Sequence, residues 1–278
     1  EYCKQDVNIT HKVFQELEKE SKGFSAYSSK IEHKIRVIID QQERNGFAID
    51  MQKAMSLYNL LKDEADKLEK WSVDYFDPTV VKLKTKTKYI PFNIGSRQQI
   101  ADRIMKLGWK PKQHTDKGNI IINEAVLDTI DLPEARKFSR FFLLQKRIAQ
   151  IKSWIKACDD KDGRVHGRVM TLKTITGRMS HNSPNMAQIP AVRSPYGKEC
   201  RDCWTVSNTS THSIVGTDAS GLELRCLAHL MNDTTFTDIL LTGDIHTHNM
   251  KMAGLTDRDQ AKTFIYAFMY GAGATKIG

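Results

Sequence analysis

Apolar residues recur at helical spacing in four stretches between residues 31 and 155. The first stretch ends at Asn45-Gly46, a dipeptide typical of a helix C-cap, and the second follows Asp50, which can cap a helix N-terminus. Ser96 precedes the third stretch, and Pro133 occupies the first turn of the fourth. The pattern therefore predicts four helices. Their apolar faces comprise Ile31–Ile39 in the first; Ala54, Leu57, Leu61, Ala65 and Leu68 in the second; Ile100, Ile104 and Leu107, closed by Gly108, in the third; and Phe141, Leu144, Ile148 and Ile151 in the fourth.

The pattern changes at residue 214. Apolar Ile214 and Val215 lead through Gly216 to Asp218, and helical periodicity follows from Leu222. This order predicts a short buried strand that carries a carboxylate at its end, followed by a turn and a helix. A carboxylate there must meet a cation or lie at a polar site, because unpaired burial is costly. A strand–turn–helix with an acidic cap is the alternative interpretation. Residues 164–172 also predict strands.

A second regular pattern occupies residues 256–271. Arg258, Lys262, Tyr266 and Tyr270 recur every fourth residue, about 400° of an α-helix, so they form one slowly wrapping stripe. Two cations followed by two aromatic rings suit a phosphate chain followed by a base and a sugar. The alternative is a solvated cationic turn that leads into an aromatic core.

Together, residues 214–229 and 256–271 resemble the nucleotide-binding motifs of family A DNA polymerases, the DNA polymerase I class, in their podophage replicative form. The resemblance covers nearly the whole chain. It implies a helix-rich α+β, right-hand polymerase fold with a remnant of the 3′–5′ exonuclease domain. The implied divisions are the end of the exonuclease domain (1–25), the thumb (26–160), the amino-proximal palm with motif A (161–230) and part of the fingers with motif B (231–278).

The resemblance also implies the reaction chemistry. Asp218 and the carbonyl of Ala219 would hold Mg²⁺, of which the complete site uses two ions. Arg258 and Lys262 would neutralise the triphosphate and the leaving pyrophosphate during catalysis. His246 matches a family position near the phosphates of the incoming nucleotide.

The same resemblance assigns the rest of the nucleotide site. Tyr266 would stack near the base and sugar, and its hydroxyl stands where other members carry Phe. Tyr270 and Gly271 would lie at the templating position. Glu223 would lie beneath the sugar and exclude a 2′-hydroxyl.

Several residues are candidates for contact with primer–template DNA. Arg178, in a Thr-Gly-Arg turn, and Gln188 match family positions at the minor groove, where every base pair presents acceptors. Arg193 would assist with phosphates. Lys82, Lys84, Lys86 and Lys88 alternate with other residues, and period two predicts four ammonium groups on one face of an extended segment. Contact with DNA phosphates and protection of an edge strand are both open.

Two further features concern partners. In the podophage polymerase best known from this family, a long insertion near residues 71–92 binds host thioredoxin; the short segment here makes that partner doubtful. Tyr2 and Asp6 have the Tyr-x-x-x-Asp spacing of the third exonuclease motif on a predicted helix. A surface Tyr–Asp pair is the alternative, and the other exonuclease carboxylates are absent from this sequence.

Composition agrees with an anionic partner without specifying it. The 42 Lys and Arg residues against 33 acidic ones give a net charge of +9. The sequence has no run long and apolar enough for a membrane span. Five scattered cysteines fit reduced thiols, and Cys200 and Cys203 form a lone CxxC without the second ligand pair that zinc requires. We expect a cytoplasmic location in a phage-infected bacterium.

Three functions fit these observations. The chain can be part of a family A DNA polymerase, in which case the second catalytic carboxylate belongs to a His-Asp-Glu motif that these 278 residues lack. The piece alone is then expected to be inactive. A single-subunit RNA polymerase relative is disfavoured by Glu223 and Tyr266. The last alternative is a non-catalytic DNA-binding module.

Overall fold

The computed structural model describes residues 1–82 and 85–273 and divides into two compact units, Glu1–Ile214 and Val215–Gly278. None of the helices described is long and apolar enough to cross a bilayer. The helices of the first unit are α1 (Tyr2–Glu20), α2 (Ala26–Asn45), α3 (Met51–Tyr75), α4 (Arg97–Lys106), α5 (Glu124–Asp128), α6 (Pro133–Ala157) and α7 (Gly197–Asp202), with a 3₁₀ turn at Met186–Gln188. Its strands are β1 (Phe47–Ile49), β2 (Thr79–Lys82), β3 (Thr87–Ile90), β4 (Cys158–Asp159), β5 (Arg164–Val165), β6 (Arg168–Met170), β7 (Ser180–Asn182) and β8 (Trp204–Thr205).

The predicted helix boundaries are confirmed where a capping side chain marks them. The Asp50 carboxylate accepts a hydrogen bond from the backbone N–H of Lys53, and the Ser96 hydroxyl accepts one from Gln99. Gly46 ends α2 with φ 59°, a conformation that glycine adopts without strain. The third predicted helix is one residue shorter than expected: α4 ends at Lys106, and Leu107 is exposed beyond it. Leu107 therefore does not belong to the buried face.

The core of the first unit forms where α3 and α6 pack against each other. Leu61, Phe138, Leu144 and Trp154 are almost completely buried there. The ring centroids of Phe138 and Trp71 lie 6.1 Å apart, and the rings of Phe76 and Phe92 also pack against Phe138. Burial of this apolar surface is the main contribution to the stability of the unit.

A polar network crosses the same packed region. Arg140 on α6 binds Glu64 on α3 with two hydrogen bonds, at 2.7 and 3.0 Å, and also contacts the hydroxyl of Tyr196. The Arg140 guanidinium lowers the pKa of Glu64, so the carboxylate stays charged. These contacts join α3, α6 and the loop before α7.

Small antiparallel sheets complete the first unit. The order β4-β5-β1-β8 gives one sheet, and β2–β3 and β6–β7 form two-stranded hairpins. The predicted strands within residues 164–172 are thus confirmed as β5 and β6. The turn between β6 and β7 carries Arg178.

The lysine segment differs from the prediction. Lys82 pairs with Thr87 and Val81 pairs with Lys88, so Lys82 and Lys88 lie on opposite faces of the β2–β3 hairpin. The expectation of one lysine face was wrong because the chain reverses between the two strands, and the alternation restarts after the turn. Lys84 lies outside the described residues.

The predicted strand at residues 214–218 was also wrong. Residues 212–219 adopt no helix or strand, and Ile214 and Val215 are 60% and 82% exposed. An extended segment gains its backbone hydrogen bonds from a neighbouring strand. In the described part of the chain, no strand pairs with this segment.

The second unit is helical over most of its described length. A short turn at Gly221, with φ 59°, precedes its first helix. Its helices are α8 (Leu222–Met231), α9 (Thr234–Thr242), α10 (Ile245–Met252) and α11 (Arg258–Met269).

Candidate nucleotide-binding site

Helix α11 displays the predicted stripe. Arg258, Lys262 and Tyr266 lie on consecutive turns of the helix, and Tyr270 is its C-cap. Ala261 is fully buried, whereas Arg258 and Lys262 are exposed. The two cations are thus accessible at the N-terminal half of the helix, where unpaired backbone N–H groups also favour an anion.

A charged pair joins α11 to α10. The Arg258 guanidinium donates two hydrogen bonds to the Asp244 carboxylate, from Nε at 2.7 Å and from Nη2 at 3.1 Å. Asp244 also caps α10 by accepting from the backbone N–H of His246 at 3.1 Å. These bonds, with that from Arg258 contributing most, hold the pKa of Asp244 well below its usual range. The carboxylate is therefore charged throughout the neutral range.

His246 lies beside this pair. Its ring centroid is 6.3 Å from that of Tyr266. Burial, and then the positive charges of Arg258 and Lys262, lower the pKa of His246. The imidazole is therefore neutral near pH 7, and its buried Nδ1 has no hydrogen-bond partner among the residues the structure describes.

The far end of the stripe contacts α8. Glu223 lies in the first turn of α8, as predicted, and accepts a hydrogen bond from the hydroxyl of Tyr270. Gly271 follows with φ 72°, which ends the helical conformation. The structure thus brings together residues that are 47 positions apart in the chain.

Comparison with known proteins identifies the family. The family model for DNA polymerase family A matches residues 62–278. The chain belongs to this family. Its relatives include the DNA-directed DNA polymerase of Escherichia phage T7, 40% identical over 213 residues, an alignment that covers 70% of this chain and 30% of the phage protein. The thermostable DNA polymerase I of Thermus aquaticus is 32% identical over 204 residues, covering 67% of this chain and 24% of that protein.

A solved structure supports the fold of this family A chain. The POL domain of Pol1 from M. smegmatis, in complex with DNA primer-template and dNTP, matches with a TM-score of 0.68 at 20% identity. The match covers 85% of this chain and 41% of that one. The helix-rich α+β class and the likeness to a polymerase domain are therefore confirmed. This chain spans 30% of the length of the phage T7 and T3 relatives.

In this family A chain, the two predicted metal ligands lie at the surface of the second unit. Asp218 and Ala219 are exposed, immediately before the turn that leads into α8. Carboxylate and carbonyl oxygens suit Mg²⁺. Within residues 1–82 and 85–273, however, no cluster of three ligating side chains includes Asp218. Asp218 and Ala219 therefore do not make up a complete metal-binding set within the described residues.

The predicted DNA contacts that the structure describes lie on the surface of the first unit. Arg178, Gln188 and Arg193 are exposed, and Lys82, Lys86 and Lys88 are exposed on the β2–β3 hairpin. Tyr2 and Asp6 are exposed one turn apart on α1. Their roles in DNA binding and as an exonuclease remnant stay predictions.

Three other residues add to the sequence-based picture. Cys200 and Cys203 are buried, and burial raises the pKa of each thiol to about 11, which disfavours the thiolate that zinc requires. Asp244 was not singled out from the sequence. Its position directly before α10 is by itself a signal for an N-cap only. The pairing with Arg258 spans 14 residues and has no local signal.

Proposed function

We propose that this chain takes part in template-directed DNA synthesis, and that its second unit binds the incoming deoxynucleoside triphosphate. The observation that carries the proposal is the single face of α11 on which Arg258, Lys262 and Tyr266 follow one another. Cations at the start of a helix favour phosphates, and an aromatic ring one turn further on favours the sugar and base.

The residues of this face would act mainly through charge. Attack of the primer 3′-oxygen on the α-phosphate releases pyrophosphate, and negative charge accumulates on the departing oxygens. Arg258 and Lys262 would stabilise that charge most strongly in the transition state. His246, neutral because its pKa is lowered, would offer a hydrogen bond to a phosphate without adding charge.

The other end of the face would select the sugar. Tyr270, with Gly271, would lie at the templating position, and its hydroxyl holds the Glu223 carboxylate. A carboxylate held beneath the sugar would crowd a ribose 2′-hydroxyl. The Tyr266 hydroxyl would hydrogen-bond the triphosphate of a chain terminator, in place of the missing 3′-hydroxyl.

Metal binding is a further part of the proposal. Asp218 and the Ala219 carbonyl would contribute oxygen ligands to two Mg²⁺ ions, with the remaining ligands outside the described residues. When bound, such ions polarise the primer oxygen and neutralise the triphosphate.

The first unit would bind primer–template DNA. Arg178 and Gln188 would reach the minor groove, and Arg193 and the exposed lysines of residues 79–90 would contact phosphates. We expect no tight complex with thioredoxin, since only a short hairpin occupies the relevant segment; a submicromolar complex in calorimetry would contradict this. Synthesis would take place in the cytoplasm of an infected bacterium.

A primer-extension assay tests the proposal. We compare the 278-residue polypeptide with a version continued through the His-Asp-Glu motif of the family, each with Mg²⁺ and a single nucleotide. Only the longer version should extend the primer, and Asp218→Ala should lower its rate by several orders of magnitude because metal positioning is lost. The control is Asp238→Ala, an exposed acid on α9. Robust extension by the 278 residues, or a mild effect of Asp218→Ala, would contradict the proposal.

A further inference from the structure

The Asp244 carboxylate accepts hydrogen bonds from two helices, α10 and α11. From α10 it accepts hydrogen bonds from the backbone N–H groups of His246 and Thr247, at 3.1 and 3.4 Å, and from the Thr247 hydroxyl at 2.8 Å. From α11 it accepts the paired bonds of Arg258. Helices α10 and α11 pack against each other, so the carboxylate has a defined position between their N-termini.

The paired bonds also define the orientation of the guanidinium. A planar guanidinium that donates two parallel hydrogen bonds to one carboxylate has its plane and direction determined. The bonds to Asp244 use Nε and one hydrogen of Nη2. The Nη1 hydrogens and the second Nη2 hydrogen form another edge, and the Arg258 side chain is 50% exposed. Among the described residues no group accepts a hydrogen bond from Nη1, so that edge can receive a second anion.

We propose that Asp244 is a positioning residue, which orients Arg258 so that this second edge receives the phosphates of the nucleotide. The inference rests on the proposed function of the second unit. A long side chain loses rotamer freedom when a ligand immobilises it, and this loss weakens binding. Because Asp244 orders the Arg258 side chain beforehand, part of that loss is removed from the binding step.

The direction in which nucleotide affinity changes when the Asp244 charge is removed distinguishes a positioning role from a passive one. A carboxylate that merely lies near a triphosphate repels it, so removal of its charge should tighten nucleotide binding. A carboxylate that orients the binding cation should, when neutralised, weaken nucleotide binding. Asp244→Asn keeps an oxygen that can cap α10 but loses the charge-assisted pairing with Arg258.

The experiment measures steady-state incorporation of dTTP opposite template adenine by the polypeptide that includes the His-Asp-Glu motif. Asp244→Asn and Asp244→Ser should each raise KM for dTTP about three- to tenfold. The effect on kcat should be small, because bound phosphates themselves hold the guanidinium at saturation. The matched control is Asp233→Asn, which makes the same change at the cap of α9, where the carboxylate accepts from Phe236 N–H at 2.9 Å. This control should leave KM unchanged.

Variants of Arg258 separate the inference from the proposed function. Arg258→Ala should raise KM strongly, and in an Arg258→Lys background, where a bidentate pair cannot form, Asp244→Asn should have no further effect. If Arg258→Ala raises KM but Asp244→Asn lowers it or leaves it unchanged, the positioning role is wrong and the proposed function stands. If Arg258→Ala leaves KM unchanged, the nucleotide-site assignment is itself wrong. A folding defect of the second unit in Asp244→Asn would lower kcat, which the positioning role leaves nearly unchanged. Asp244→Ser, which also retains a cap, gives an independent value of KM.

Discussion

The contact between Glu223 and Tyr270 leads to a graded prediction about sugar selection. Under the proposed function, the Glu223 carboxylate excludes ribonucleotides and the Tyr270 hydroxyl holds it in place. Glu223→Ala removes the obstacle, whereas Tyr270→Phe leaves it present and removes one contact that holds it. Both substitutions should reduce discrimination between deoxynucleotides and ribonucleotides, and the first should reduce it more.

The size of the smaller effect follows from the hydrogen bond. Hydrogen bonds to charged groups contribute about 1.5–3 kcal/mol when well shielded from water. Tyr270 is 52% exposed, so solvent screening reduces this value. A remaining contribution of about 1 kcal/mol corresponds to roughly a fivefold loss of discrimination in Tyr270→Phe. For Glu223→Ala, where a whole side chain is removed, we expect about 10- to 200-fold, the range of other steric changes in binding pockets.

The assay is the ratio of kcat/KM for dCTP to that for CTP, measured on the polypeptide that includes the His-Asp-Glu motif. Tyr266→Phe provides a reciprocal control: it should leave this ratio unchanged and should increase discrimination against a dideoxynucleotide. Equal ratios in wild type, Glu223→Ala and Tyr270→Phe would refute the assignment of Glu223. A larger effect of Tyr270→Phe than of Glu223→Ala would refute the role of the hydroxyl as a support.

Three further predictions concern the first unit. Replacing the lysines of residues 79–90 with Gln should weaken duplex binding and flatten its salt dependence by less than the roughly four units of slope that a single lysine face would give, because Lys82 and Lys88 lie on opposite faces. An unchanged slope in a binding titration would favour edge protection. A hydrogen bond to the Glu43 carbonyl, opposed by burial and aided by Asp162, raises the pKa of His166. The stabilisation from protonated His166 is therefore present below the unfolded pKa and is lost as pH rises through the folded pKa, so urea unfolding should show stability falling above about pH 6.5. A pH slope that persists in His166→Asn would contradict this. The Phe138 ring is fully buried, and Phe138→Ala should lower the free energy of unfolding by about 3–5 kcal/mol. Phe14 is 62% exposed, and Phe14→Ala should lower it by about 0.5 kcal/mol or less. Similar values for the two variants in urea titrations would contradict the assignment of the core.

Local features of the sequence determined the helices and much of the candidate nucleotide face. Asp50 and Ser96 cap the nearest backbone N–H groups, so the helices they begin could be predicted from a few neighbouring residues. The fourfold spacing from Arg258 to Tyr270 determined a common face as soon as the segment became helical. Each of these features depends on neighbouring residues or on spacing along one helix, and its geometry does not depend on the rest of the chain.

Contacts between distant residues were decided only by the tertiary structure. The apolar residues before Asp218 suggested a strand, but a strand also requires a partner, and the described chain places none beside it. The lysine segment alternates in sequence, yet the chain reversal puts Lys82 and Lys88 on opposite faces. The pairing of Arg258 with Asp244 depends on the packing of α10 against α11, because a side chain within one element carries no information about which distant group will lie beside it.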